Sequence, residues 1–173
     1  MLVLAMLLSI SMNVSAEPEV AAMTVIVVRH AEKVDDSDDP PLSEAGAARA
    51  EALVALLGSS PPDAIYASQY RRTQDTVAPA AARFGLEVRV DPVARPIEVW
   101  ARRFAEQLIA GHPGETVLVA GHSNTVPALV AALCGCEVEA IDESVYDRIW
   151  TVSSPGTDAA RLVVTRFGDA LID

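Results

Sequence analysis

The sequence predicts an α/β protein, a three-layer α/β/α sandwich whose central sheet is mostly parallel and carries an antiparallel edge strand. Three observations predict it. Short apolar, β-branched runs such as TVIVV and ETVLVA alternate along the chain with stretches of helical periodicity. Each of the first runs ends in an abrupt change of polarity, as buried parallel strands do where they leave a sheet. No internal repeat or composition break divides the chain, and 173 residues suffice for one domain with a core of its own. The expected organisation is an N-terminal segment, residues 1–16, followed by a single domain, residues 17–173.

The N-terminal segment carries no charged side chain, Leu2–Ile10 is apolar, and Val14-Ser15-Ala16 before Glu17 resembles a small-residue cleavage site. It reads as a secretory signal peptide, with an uncleaved anchor as the alternative. It is shorter than the ~20 residues of a spanning helix. The missing Lys or Arg before the apolar run departs from the usual pattern. A periplasmic or secreted location is the expectation.

Thr24–Val28 is the first strand, and Arg29-His30 lie at its end. Val34–Leu42, with four aspartates and two prolines, cannot be helix or central strand and reads as a solvated loop, not a cation site. Ser43 caps a helix with apolar positions Ala48, Ala52, Leu53, Leu56 and Leu57, ending at Gly58. Asp63–Ser68 is a second strand, followed by Arg71-Arg72 and an alanine-rich helix that runs to Phe84 and stops at Gly85. Leu86–Val90 is a third strand, Pro92 and Pro96 bracket a loop, and Ile97–Ala110 is an amphipathic helix. The turn after it holds His112, read as an exposed turn residue. Glu115–Ala120 is a fourth strand that delivers His122 and a helix over Thr125–Cys134. Asp147–Ser153 and Ala160–Phe167, with Pro155-Gly156 between them, read as a hairpin or edge pair.

Charge and composition narrow the function. A net charge of −11 disfavours nucleic acid and anionic lipid as partners. It also means that an anionic ligand needs cations gathered locally. Cys134 and Cys136 have the spacing of neither a redox nor a zinc pair, and bridging them would close a tight ring, so they read as two small residues at a helix end. The three histidines form no metal-ligand pattern, and neither metal nor cofactor is expected.

Three strand ends present related chemistry: Arg29-His30, Arg71-Arg72 and His122. In a parallel sheet these ends share one side. Two arginines and two histidines converging there suit a dianionic phosphoryl group, with arginine forks on its oxygens and a histidine able to attack phosphorus. Backbone amides of Ser123–Val126 at a helix start could add donors.

The order R-H-A-E, S-Q-Y-R-R-T-Q-D-T and V-A-G-H-S-N-T-V-P resembles the histidine phosphatase superfamily, in the branch of phosphoglycerate mutases and small phosphatases. The likeness runs from about Thr24 to the C-terminus, and LSEAGAARAEAL looks like the family's first helix. The resemblance implies that His30 is the nucleophile that becomes phosphohistidine and that Arg29 binds phosphate. The family pattern S-x-x-x-R-x-x-x-T falls on Ser68, Arg72 and Thr76, so Arg72 is the pocket arginine and Arg71 lies at the rim or in solvent. His122 matches the second pocket histidine. Glu32, Lys33, Ser123 and Asn124 are rim residues, with helix capping as the alternative for the last two. For the proton donor, Glu98 stands where the mutase-like branch has its acid, and Glu32 is the rival. The aspartate that follows the second histidine in acid phosphatases is Ser123 here.

The chain also departs from the family. Ala31 replaces the usual glycine, the mutases' glycine- and tryptophan-rich segment is missing, and there is no cap insertion, which implies an open pocket. The expected function is metal-independent hydrolysis of small phosphomonoesters outside the cytoplasm. The alternatives are a phosphoglycerate mutase-like phosphotransferase and a non-catalytic phosphate- or phosphopeptide-binding module. Action on phosphohistidine proteins is a further reading. No membrane association is expected of the mature domain.

Overall fold

Strand and helix alternate as the apolar periodicity dictates. The computed structural model describes residues 22–168, so Met1–Ala16 lies outside the described residues. The elements are β1 (Thr24–Arg29), α1 (Glu44–Leu57), β2 (Ala64–Ala67), α2 (Arg71–Phe84), β3 (Val88–Val90), α3 (Ile97–Gly111), β4 (Thr116–Gly121), α4 (Thr125–Cys134), β5 (Arg148–Ser153) and β6 (Arg161–Arg166). They form one sheet in the order β3-β2-β4-β1-β5-β6.

Strands β3, β2, β4 and β1 are mutually parallel, and β5 runs antiparallel to both β1 and β6. The reversed strand is therefore second from the edge, not at it. The connections explain this. Each of the first crossovers is a single helix, which returns the chain to the strands' starting end. After α4, residues 135–147 carry the chain back across to the finishing end, where Ile149 pairs with Val28. The next strand must then run the opposite way.

Both faces of the central strands are covered. Val25, Val27, Val117 and Val119 pack with Phe104, Leu108, Leu129 and Trp150 on the side of α3 and α4. Their neighbours Ile26, Val28, Leu118 and Ala120 pack with Leu53, Leu57, Val77 and Ala80 on the side of α1 and α2. Strand side chains alternate between faces, so a strand buried on both reads as an unbroken apolar run.

Local signals hold at the helix ends. Ser43 caps α1, its Oγ accepting from the Gly46 amide at 3.1 Å. Gly85 ends α2 in the left-handed region, φ 69°, with its N–H on the Ala81 carbonyl. Gly46 is needed for another reason: a Cβ there would run into the backbone carbonyl of Glu32, so α1 rests directly on the chain leaving β1.

Two expectations fail. Cys134 and Cys136 are joined in a disulfide, with an S–S distance of 2.08 Å. Gly135 adopts φ 64° as α4 ends, folding the chain back and bringing the two Cα atoms to 5.2 Å, within normal bridging range. His112 is not an exposed turn residue but is buried, 6% exposed. It caps α3, its Nε2 lies 3.0 Å from the Tyr66 hydroxyl, and its Nδ1 lies 2.6 Å from a Glu115 carboxylate oxygen. It thereby ties the end of α3 to β2 and to the start of β4. Among the described residues no helix is long and apolar enough to cross a membrane.

Candidate active site

The sheet's finishing ends open into a cleft of about 420 Å³ lined by Arg29, His30, Arg72 and His122 together with Lys33, Ser123, Asn124 and Glu143. The His30 amide donates to the Gly121 carbonyl at 2.9 Å, extending the β1–β4 ladder by one bond. That bond sets the two histidines side by side, their ring centroids 5.4 Å apart.

His30 is buried, and its Nδ1 lies 2.8 Å from the Ala31 carbonyl oxygen. A carbonyl only accepts, which assigns the proton to Nδ1 and leaves the Nε2 lone pair free. Burial lowers its pKa from 6.5 to about 4, against the bond to Ala31, and the charges of Arg29, Arg72 and Lys33 add to the shift. The ring is neutral near pH 7, the state a nucleophile requires.

His122 is held by the opposite tautomer. Arg72 Nη2 lies 3.4 Å from its Nδ1, so that nitrogen accepts, and Nε2–H donates to Ser68 Oγ at 2.9 Å. Ser68 Oγ passes its proton to Thr73 Oγ1 at 2.8 Å, and Thr73 donates to the Tyr70 carbonyl at 2.7 Å. Burial, then the charges of Arg72, His30 and Arg29, lower the His122 pKa to about 3.

The middle motif can now be explained residue by residue. Ser68, at the exit of β2, orients His122. Arg72, in the first turn of α2, reaches the cleft, its guanidinium carbon 4.5 Å from the Tyr70 ring centroid. Thr76, one turn later, accepts the Ala31 amide at 2.9 Å and donates to the Arg72 carbonyl at 2.7 Å, fixing the backbone behind His30. Arg71 faces solvent and pairs with Asp75 at 3.1 Å, consistent with the expectation of a rim or solvent position. The acidic loop reaches the site: the Asp38 carbonyl accepts from Arg72 at 3.2 Å, and the Asp39 carboxylate lies 3.8 Å from it.

Arg29 is 2% exposed. Its Nη1 donates to the carbonyls of Asp142, Glu143 and Val145 at 3.1, 2.8 and 3.1 Å. Its Nη2 meets the Glu143 carboxylate at 2.6 Å, and its guanidinium lies 4.1 Å from the Tyr146 ring centroid. Its Nε is buried with no hydrogen-bond partner among the described residues.

The expected acids lie elsewhere. Glu98 is exposed in the first turn of α3 and does not line the cleft, although Arg95 and Ile97 do. Glu32 is also outside the lining; both of its oxygens bond Arg49, at 2.7–3.0 Å. Burial, the largest single influence, would raise its pKa, but the Arg49 bonds, a backbone hydrogen bond and the charges of Arg49 and Arg29 together hold it below the ordinary value. Lys33 sits at the rim, paired with Asp36 at 2.6 Å.

Ser123 and Asn124 line the cleft, and Asn124 makes no side-chain capping bond to α4. The amides of Thr125 and Val126 both bond the His122 carbonyl, at 3.1 and 2.9 Å, so they are not free for an anion. Ser123 Oγ instead donates to the Glu143 carboxylate at 2.6 Å. Glu143, which sequence reasoning missed, is the one carboxylate among the cleft's lining residues. The Ser123 hydrogen bond first, then the charges of Arg29, His30 and Lys33, hold its pKa below the ordinary range against partial burial.

The family model of the histidine phosphatase superfamily, branch 1, matches residues 25–99. Comparison with the curated proteins gives no match. Among solved structures, a mycobacterial glucosyl-3-phosphoglycerate phosphatase is similar with a TM-score of 0.68 and 20% identity, over 85% of this chain and all of that one. A SixA protein from Nakamurella shares 21% identity over 85% of this chain and 97% of that one, with a TM-score of 0.63. The protein histidine phosphatase SixA, solved with tungstate, shares 19% identity over 83% of this chain and 97% of that one, with a TM-score of 0.66. At such identities the likeness to these structures is one of fold. The family match spans β1 with Arg29 and the helix that carries Arg72, so the sequence likeness to the histidine phosphatase superfamily covers residues 25–99, and the likeness of fold extends beyond them.

Proposed function

We propose that the protein is a phosphatase that hydrolyses small phosphomonoesters through a phosphohistidine on His30, without a metal ion. The observation that carries this reading is the state of His30: neutral, with its Nδ1 proton committed to Ala31 and its Nε2 lone pair free in a cleft that also presents Arg29, Arg72 and His122. The phosphoryl dianion lies beside His122 and against the two arginines, whose positive charges and N–H donors supply what a metal would otherwise supply. His30 Nε2 forms a bond to phosphorus as the bond to the ester oxygen breaks, and that oxygen takes up a proton as it leaves. Water then attacks the phosphohistidine, releasing inorganic phosphate and restoring the imidazole.

In an acidic chain the cations are concentrated where the anion binds, which favours a phosphorylated small molecule as the ligand. Two features support action outside the cytoplasm. One is the signal-like segment Met1–Ala16, and the other is the Cys134–Cys136 disulfide, a bond typical of oxidising compartments.

The test is phosphate release from a panel of phosphomonoesters with chelator present, alongside trapping of the phosphoenzyme. Wild type should turn over with chelator and yield a phosphohistidine, and His30→Ala should do neither while remaining folded. Turnover retained in His30→Ala, or abolished by chelator, would overturn the proposal. A folded wild type that binds phosphate but never forms the phosphoenzyme would instead be a binding module. Transfer of the phosphoryl group between acceptor hydroxyls in preference to water would make it a mutase-like phosphotransferase.

A further inference from the structure

Phosphate monoesters with alkoxide leaving groups need a proton delivered as the P–O bond breaks. Within the cleft the imidazoles and the arginines are committed. His30 is the nucleophile, His122 gives its ring proton to Ser68, and the arginines do not deprotonate. We propose that Glu143 is the residue that delivers this proton, after the incoming phosphoryl group takes its place on Arg29. The inference rests on the phosphatase reading and deepens it: it selects oxygen esters with basic leaving groups as the substrates.

The position of Glu143 supports this in three ways. Its carboxylate sits 2.6 Å from Arg29 Nη2, where a phosphoryl oxygen bound by that arginine would lie. The carboxylate therefore marks the anion position and moves aside by about one hydrogen-bond length when a ligand arrives. Its backbone is anchored independently, the Glu143 carbonyl accepting from Arg29 Nη1 at 2.8 Å. The residue thus stays at the cleft while its side chain, 79% exposed, has solvent beside it to move into once the Arg29 bond is exchanged. Ser123 Oγ, 2.6 Å from the other carboxylate oxygen, gives it a second hold at the rim.

The electrostatics change with occupancy. In the empty cleft Arg29 favours the carboxylate. With the ligand bound, the arginine's charge is neutralised and a dianion lies beside Glu143, and both changes favour the protonated acid. The step balances. His30 Nε2 bonds phosphorus, the ester bond breaks, and the Glu143 proton passes to the leaving oxygen. Glu143, now a carboxylate, accepts a proton from the water that attacks the phosphohistidine, which returns it to the acid form.

The experiment compares Glu143→Gln with wild type on an alkyl phosphate and on p-nitrophenyl phosphate, whose phenolate leaves with little proton help. The substitution should lower kcat/KM for the alkyl ester by about a hundredfold or more and for the aryl ester by less than about fivefold. Glutamine cannot compete as a charge for Arg29, so inhibition by inorganic phosphate should strengthen severalfold. Equal losses on both esters, or unchanged phosphate inhibition, overturn the proposal. So does a leaving-group-selective loss in Glu98→Gln that is absent from Glu143→Gln. A wild type that traps no phosphohistidine from either ester is the failure of the phosphatase reading itself, and the inference falls with it. A wild type that traps it while Glu143→Gln loses both esters alike is the failure of the inference alone.

Discussion

Mild acid should destabilise the empty protein through its two site histidines. His30 and His122 are held at about 4 and about 3, against 6.5 for a free histidine. Both folded values lie below the unfolded one. Between pH 6.5 and 4 the unfolded chain therefore binds more protons than the folded protein, and stability falls as pH falls through that window. Above pH 6.5 both states are neutral at these sites and the effect vanishes. Near pH 5.5 each histidine differs by almost one proton, which gives a slope of roughly 2 kcal/mol per pH unit for the pair. Carried down to pH 4, the loss is on the order of 5 kcal/mol, comparable to the whole stability of many domains. Urea unfolding at pH 7, 6 and 5 measures the slope directly, and His122→Asn should reduce it by about half, because asparagine keeps a polar side chain without titrating. A wild-type slope near zero between pH 6 and 5, or a slope unchanged in His122→Asn, refutes the claim that burial and the two arginines keep these rings neutral.

Two further substitutions test how the site is supported. Ser68→Ala leaves the buried His122 Nε2–H without its acceptor, so stability should fall by about 1–3 kcal/mol in denaturant titrations, and kcat should fall more than KM changes as the ring loses its orientation. Gly46→Ala forces a methyl group against the Glu32 carbonyl where α1 rests on the loop after β1, and thermal unfolding should report a loss of about 1–3 kcal/mol. A neutral alanine there would mean that the helix does not approach the backbone so closely.

The parts of this protein that were legible in its sequence are those fixed by local periodicity and by residues at strand ends. The run TVIVVRH states its own burial, its own end and the polar pair that follows, and β1 with Arg29 and His30 stands as read. Thr125–Cys134 begins and ends where its apolar pattern does. The spacing Ser68, Arg72, Thr76 has a meaning that the sequence could not supply. Ser68, at the exit of β2, orients His122; Arg72, in the first turn of α2, reaches the cleft; and Thr76, one turn later, holds the chain behind His30. What could not be read depended on contacts between distant segments. His112 lies between glycine and proline, a turn by any local rule, yet Tyr66 is 46 residues away and 3.0 Å distant. Glu98 lies at the right place along the chain, but the first turn of α3 leaves it exposed outside the cleft. Glu143 sits in I-D-E-S-V-Y-D, a segment with no motif, and only the return of residues 135–147 across the sheet brings it 2.6 Å from a residue 114 positions earlier.

That return segment follows from the energetics of burying Arg29. A guanidinium almost wholly removed from water needs its charge compensated and its N–H groups satisfied, or the fold bears a cost of several kcal/mol. β1 leaves Arg29 at the sheet's finishing end with no partner of its own. Three carbonyls, one carboxylate and one aromatic face from residues 142–146 supply the partners of Nη1 and Nη2 and the compensating charge, leaving Nε alone without a bond among the described residues. To bring them there, the chain must cross to the finishing end before its next strand, and β5 must therefore run antiparallel to β1. The reversed strand, the seat of Arg29 and the presence of a carboxylate at the cleft are thus one structural solution. Nη1 holds the backbone carbonyls, so the segment stays docked, while Nη2 holds only an exposed side chain that a stronger anion can replace. The arginine is anchored to the backbone by one nitrogen and meets only an exposed carboxylate at the other, the arrangement that the proposed exchange of Glu143 for a phosphoryl group requires.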